Sequence, residues 1–82
     1  MIITKKDAKA IEKMYGFDVT AVKTATDLVA LFEENEPCWF EVVMEADLCD
    51  ETVHYIETTE DDLIVFITEE NSDNLKKIYL GN

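Results

Sequence analysis

The chain has 82 residues, 48% of them hydrophobic, and a formal net charge of −12. This length suits one domain over residues 1–82, and the apolar content excludes a disordered acidic tail. All seven basic residues are lysines outside residues 24–75, a range that holds 16 of the 19 acidic residues, so the surface should repel nucleic acid and anionic membranes and attract basic proteins.

The first part of the chain predicts a helix followed by a short strand. Thr4 opens a pattern that resembles a capping box, and Gly16 suits the left-handed position that ends a helix at about Tyr15. Residues 17–22 alternate and are rich in β-branched side chains, which predicts a strand. The apolar face of this helix is predicted to comprise Ala8, Ile11, Met14 and Tyr15.

A second helix is predicted between Thr24 and Pro37. Thr24 offers another N-cap, and Pro37 disfavours helical geometry at Glu36, which ends the helix. Helical spacing predicts that this helix buries three side chains, those of Leu28, Leu31 and Phe32.

From Cys38 onward the hydrophobic period changes to two, which predicts four strands joined by short polar hairpin loops. The last segment has an alternative, because residues 72–74 could equally cap a helix; we favour the strand. The predicted fold is therefore α+β, with two helices packed on one face of an antiparallel four- to five-stranded sheet, in the order α-β-α-β-β-β-β. The four predicted strands are Trp39–Ala46, Thr52–Thr58, Leu63–Thr68 and Leu75–Leu80.

One register across these strands predicts two sheet faces. The face toward the helices would hold Phe40, Val42, Met44, Ile56, Val65, Ile67, Ile78 and Leu80. The second face is unusually apolar for a surface in water, so either another segment covers it or it forms a protein-binding or homodimer surface. It would hold Trp39, Val43, Val53, Tyr55, Ile64, Phe66 and Tyr79 between Glu41, Glu45 and Glu57.

Several acidic residues occupy positions that local stability does not favour. Carboxylates at the end of the second helix oppose its dipole by about 0.3–1 kcal/mol each. Acids arrayed on helix ends and strands can imitate DNA, which carries one phosphate per ~3.4 Å of strand. A plain solvated acidic surface is the alternative. The candidate partner-binding residues are the acids Glu33, Glu34, Glu36, Glu41, Glu45, Glu57, Glu60, Asp61 and Asp62, with the aromatic residues Trp39, Tyr55 and Phe66.

Metal binding and catalysis have weaker support. The acidic stretches 47–51 and 60–62 lack the spacing of an EF-hand loop, and Cys49 with His54 lacks two further ligands for zinc. His54 is the one histidine and no glycine-rich phosphate loop is present. We therefore expect no metal, no cofactor, no catalytic residue and no enzymatic activity.

The element order and several short strings resemble the phage uracil-DNA glycosylase inhibitors. The resemblance implies two helices against a five-stranded antiparallel sheet, and mimicry of DNA phosphates. The chain departs from the family at residues 23–24, Lys-Thr where the family has an acid and a serine, and at Leu28 and Leu31, where it has inhibitory acids. The strings are Ile11-Glu12-Lys13, Gly16, Val19–Val22, Glu34-Asn35-Glu36-Pro37 and residues 70–78.

Together these observations predict a non-enzymatic acidic inhibitor encoded by a phage or mobile element. Its partner would be a nucleic-acid-binding host protein, such as a glycosylase or a CRISPR or restriction nuclease, with no direct binding to nucleic acid or membrane. The alternatives are an interaction or homodimerisation module that uses the aromatic sheet face, and an immunity protein of a nuclease toxin. Cys38 and Cys49, with no signal-peptide pattern, predict free thiols and a cytoplasmic location.

Overall fold

The computed structural model describes residues 3–59 and 63–81. Its strands form one antiparallel sheet whose spatial order is the same as the chain order, so the first and last strands are the two edges. The α+β class is confirmed, and the last segment is a strand rather than a helix. The elements are α1 (Lys5–Tyr15), α2 (Ala25–Asn35), β1 (Phe40–Leu48), β2 (Glu51–Thr58), β3 (Leu63–Glu69) and β4 (Leu75–Gly81).

Local hydrogen bonds fix the start of each helix where the sequence predicts it. The Thr4 hydroxyl accepts a hydrogen bond from the amide of Asp7 at 3.2 Å at the start of α1. At the start of α2 the capping box is complete. The Thr24 hydroxyl accepts from the amide of Asp27 at 3.1 Å, and the Asp27 carboxylate accepts from the amide of Thr24 at 3.3 Å. These bonds satisfy amides that have no partner inside the helix.

Glu36 ends α2 in a left-handed conformation. Its φ is 43°, and its amide donates to the carbonyl of Phe32 at 2.9 Å. Glycine is the usual residue at such a position, because a Cβ atom is strained there by about 1–2 kcal/mol. Glu36 therefore combines backbone strain with a carboxylate at the negative end of a helix dipole.

Replacing Glu36 with glycine should raise the free energy of unfolding by about 0.5–1 kcal/mol, because relief of strain exceeds the entropy cost of glycine. Glu36→Gln is the matched control, since it removes the charge and keeps the strain. Urea unfolding followed by circular dichroism measures both variants. A glycine variant less stable than the glutamine variant would contradict the strained cap.

The segment between the helices is not the strand that its alternation predicts. The carboxylate of Asp18 accepts from the amide of Thr20 at 2.9 Å, and the amide of Val22 donates to the carbonyl of Val19 at 3.2 Å. Such local bonds compete with a strand ladder. The alternation arises because Phe17 and Val19 enter the core beside irregular backbone. In the described part of the chain, this segment joins the sheet only near Thr24, which bridges Asn74.

The core lies between the helices and one face of the sheet. Phe32 of α2 is at its centre, with its ring centroid 5.0 Å from that of Phe17 and 5.2 Å from those of Tyr15 and Phe40. Met14, expected on the buried face of α1, is exposed. The buried cluster comprises Ile3, Ala8, Ile11, Phe17, Val19, Val22, Leu28, Phe32, Ile56, Ile64, Phe66, Leu75 and Ile78.

The predicted faces of β3 are reversed in the structure. Ile64 pairs with Ile56, and Phe66 pairs with His54, so Ile64 and Phe66 face the helices and are buried. Val65 and Ile67, predicted for the core, lie on the other face. Both sets of side chains are apolar, so the period of two does not distinguish them; the pairing with β2 decides which set is buried.

Candidate functional site

The order of the strands separates the charges of the molecule. α1 packs against β4, the carbonyl of Lys23 accepts from the amide of Leu75, and Lys76 and Lys77 belong to β4 itself. Every lysine therefore lies on β4 or on a segment beside it. β1, at the opposite edge of the sheet, carries three exposed carboxylates and no lysine: Glu41, Glu45 and Asp47.

Carboxylates also face one another across the strands. Glu41 of β1 lies directly opposite Glu57 of β2, and Glu51 lies opposite Glu69. Like charges at such positions destabilise a sheet. Within residues 3–59 and 63–81 the one ion pair joins Lys76 to Glu51 at 3.4 Å. The acids of β1 are thus without a counter-charge in this part of the chain.

The outer face of the sheet, which points away from both helices, combines apolar side chains with these acids. Tyr55 is half-buried there; burial raises the pKa of its hydroxyl, and the charges of Glu57, Glu45 and Glu41 raise it further. Trp39 precedes β1 and is 59% exposed. The register places many apolar residues on this face, among them Val43, Val53, Tyr55, Leu63, Val65, Ile67 and Tyr79.

A groove of about 290 Å³ opens between α2 and the inner face of the sheet. We refer to it as the α2–sheet groove. Its surface is mainly apolar, so it suits an apolar side chain, and its carboxylates favour a cationic neighbour. The lining residues are Ala25, Thr26, Val29, Ala30, Glu33, Val42, His54, Phe66 and Asp73.

The groove exists because α2 covers only part of β1. The ring of Phe32 in α2 contacts Phe40 at the start of the strand, with centroids 5.2 Å apart, but the cover does not extend over the next inner-facing residues. Val42 and Met44 are on the helix-facing side of β1, yet they are 39% and 59% exposed. These residues were predicted to be core, and the structure instead makes them an accessible apolar surface beside the groove.

His54 lies in the α2–sheet groove, with its ring held at one face and at one edge. It stacks on Phe66 with centroids 4.9 Å apart and planes 9° apart, and its Nε2 is 3.3 Å from the Thr68 hydroxyl. Burial lowers the pKa of His54, while the charges of Asp47 and Asp73 act in the opposite direction. The fold therefore favours the neutral imidazole.

Lowering the pH from about 7.5 to about 5.5 should destabilise the parent protein relative to His54→Asn. The folded state depresses the pKa of His54, so protonation favours the unfolded chain. The neutral imidazole therefore contributes to stability at pH 7.5, and this contribution is lost as the pH falls below the ordinary histidine pKa of about 6.5. Urea unfolding across this pH range measures the difference between the two free energies of unfolding. The carboxylates titrate in both proteins, so their effect cancels in that difference. A parent that gains stability over the variant as pH falls would contradict the depressed pKa.

The three acids predicted at the end of α2, Glu33, Glu34 and Glu36, lie in different environments. Glu33 lines the α2–sheet groove, and Glu36 forms the helix cap. Glu34 lies on another side of α2, in a hollow of about 280 Å³ that also includes Asp18 and Asp27. Only Glu33 among them shares a surface with β1.

The remaining predicted site residues are divided by the sheet. Glu41, Glu45, Glu57 and Tyr55 lie together at the β1–β2 side of the outer face. Phe66 was predicted to contact a partner at the surface, but it is 1% exposed and belongs to the core. The reason is that β3 directs Ile64 and Phe66, rather than Val65 and Ile67, toward the helices. The predicted acids at positions 60–62, Glu60, Asp61 and Asp62, lie outside the described residues.

The described residues give little support for a disulfide, a metal site or a membrane-spanning helix. Cys38 and Cys49 are not joined in a disulfide. No group of three or more His, Cys, Asp or Glu side chains within the described ranges could hold a metal ion. Neither α1 nor α2 is long and apolar enough to cross a membrane.

Comparison with models of protein families, with curated proteins and with solved structures yields no match. Two features of the molecule bear on its function: the acids at the β1 edge, which have no counter-charge among the described residues, and the α2–sheet groove beside them.

Proposed function

We propose that this protein is a non-enzymatic inhibitor, encoded by a phage or mobile element, that mimics nucleic acid in the host cytoplasm. It would occupy the basic nucleic-acid site of a DNA-processing or defence protein, such as a glycosylase or a CRISPR or restriction nuclease. The observation that carries the proposal is the separation of charge across the sheet, which leaves the β1 edge acidic and without counter-ions among the described residues.

The energetics of the acids support binding rather than folding as their role. The pair formed by Glu41 and Glu57, and the cap at Glu36, each cost the free protein stability. A basic partner would supply the missing counter-charges and relieve the repulsion between Glu41 and Glu57. Residues that oppose folding locally are expected where binding has determined their choice.

Charge alone would give a weak complex at physiological salt, because exposed ion pairs are worth about 0–1 kcal/mol each. The α2–sheet groove offers a second contribution. Burying one leucine- or phenylalanine-sized side chain of the partner there would add roughly 1.5–3 kcal/mol. Val42 and Met44, exposed beside the groove, extend the apolar surface that the partner would cover. Carboxylates would then orient the partner, and apolar contact would slow its dissociation.

The test is a binding panel of purified glycosylases, restriction nucleases and CRISPR nucleases against the immobilised protein. A target should lose affinity by at least about tenfold between low and high salt, and duplex DNA should compete for the same site. Inhibition of the target's DNA binding should follow the same salt dependence. A tight target whose binding is indifferent to both salt and DNA would overturn the proposal.

An immunity protein for a nuclease toxin would share this chemistry, with the toxin as the target.

A second candidate function is a small interaction or homodimerisation module. The observation that favours it is the outer sheet face, which points away from both helices and where many apolar residues lie among carboxylates. A partner seated there would bury Tyr55 and Tyr79. The mass of the protein in solution, with and without Tyr55→Ser, separates this candidate from the first.

A further inference from the structure

The two edges of the sheet differ in how their backbone is covered. Beside β4, Ile3 forms a parallel bridge with Ile78, and Thr24 bridges Asn74. Beside β1, no residue in the described ranges pairs with the outward edge. An uncovered edge presents unpaired amides and carbonyls that can accept a further strand. β1 is also the longest strand, with nine residues.

Besides its carboxylates, β1 exposes several large apolar side chains, which an edge strand in water usually avoids. Its inner-facing Val42 and Met44 extend beyond the cover of α2, as shown above. Of the six large hydrophobic residues exposed in the described part of the chain, four lie on β1 or next to it: Trp39, Val42, Met44 and Leu48. A strand added at this edge would place alternate side chains against them.

The charges of β1 select which strand could be added. A second copy of the chain carries the same net charge of −12, and antiparallel self-pairing of β1 would bring the three acids of each copy, Glu41, Glu45 and Asp47, together along one seam. Repulsion therefore disfavours self-association and favours an oppositely charged strand. The bulge between Met44 and Ala46 interrupts the regular edge, so the section open to regular pairing is Phe40–Met44.

We propose that Phe40–Met44 of β1 pairs with an extended basic segment of the partner protein, which adds a fifth strand to the sheet. The segment alternates basic and apolar residues. Its basic side chains lie on the outer face, beside Glu41 and Glu57, and its apolar side chains lie on the inner face, beside Val42 and Met44. This inference rests on the proposed function, because it takes the partner to be a basic protein. It adds that an extended segment of the partner is held by backbone pairing with β1.

The test uses a seven-residue peptide of alternating lysine and valine, with the full-length protein. Two control peptides keep its length: one has methyl groups on alternate backbone nitrogens, and one has glutamate in place of lysine. Fluorescence anisotropy should show binding of the first peptide, and each control should bind at least about tenfold more weakly. Amide hydrogen exchange should slow within residues 40–44 when the first peptide is added, and residues of β4 should not change.

Three results would overturn the inference. The methylated peptide could bind as tightly as the first, which would show charge attraction without strand pairing. Protection could appear along β4 instead of β1. Protection of β1 could depend on protein concentration in the absence of peptide, which would make a second copy the occupant. The lysine–valine peptide could also fail to bind while a target from the panel still binds in a manner sensitive to salt and to competing DNA. Strand pairing at β1 would then be wrong and the proposed function would stand, because the panel result does not depend on the peptide.

Discussion

Replacing Phe66 with alanine should lower the free energy of unfolding by about 3–5 kcal/mol, the usual cost of removing a buried aromatic ring. Phe66 is 1% exposed, lies at the middle of β3, and supports the ring of His54 at 4.9 Å. Domains of this kind are stable by only about 5–15 kcal/mol in total, so the variant should be largely unfolded on mild heating. Circular dichroism during urea and thermal unfolding measures the loss.

Tyr55→Ser is the matched comparison on the opposite face of the sheet. Tyr55 is half-buried and adjoins three carboxylates, so its loss should reduce stability far less than loss of Phe66. If the outer face is a homodimer surface, Tyr55→Ser should also lower the mass in solution while the fold survives. Equal destabilisation by the two substitutions would contradict the assignment of the two faces.

Features governed by local chemistry were predictable from the sequence. Thr4 and Thr24 cap helices because their hydroxyls bond amides three residues later, and Gly16 ends α1 because it adopts a φ of 83° without strain. The change of hydrophobic period after Pro37 located the four strands of the sheet. Each of these signals acts within a few residues, so no knowledge of distant contacts was needed.

Features decided by distant contacts were not predictable in the same way. β3 is apolar at every position from Leu63 to Ile67, so its buried face depends on pairing with His54 and Ile56 of β2. The reversal of this one strand moved Phe66 from the predicted surface to the core. In the irregular segment 17–22, local hydrogen bonds replaced the ladder that its alternation predicts.

The chemistry of the candidate site was predicted more fully than its shape. The excess of acids without lysines is visible in the sequence, but their concentration at one edge follows from the strand order and the packing of α1 on β4. The α2–sheet groove was missed entirely. Which part of an edge strand a helix covers is decided by tertiary packing, so no local signal in the sequence indicated the groove.

Reversing three charges, one in the groove and two on the β1 edge, should weaken binding to the target found in the panel by at least about 100-fold, if each lost contact is worth roughly 1 kcal/mol or more. The variant carries Glu33→Lys, Glu41→Lys and Glu45→Lys. Glu33 lines the groove, and the other two are exposed on the β1 edge. Stability should hold or rise, because Glu41→Lys places a cation opposite Glu57 instead of a like charge.

The matched control reverses three carboxylates elsewhere, through Glu12→Lys, Glu69→Lys and Glu70→Lys. Each set adds six charges, so both variants carry −6 in place of −12. In a molecule 33 Å long, with a screening length of about 8 Å at physiological salt, the control should weaken binding by less than about tenfold. Titration of both variants against the target, with unfolding curves alongside, distinguishes a located site from a general negative field. Equal losses in the two variants would show that net charge alone drives binding and that the β1 edge has no special role.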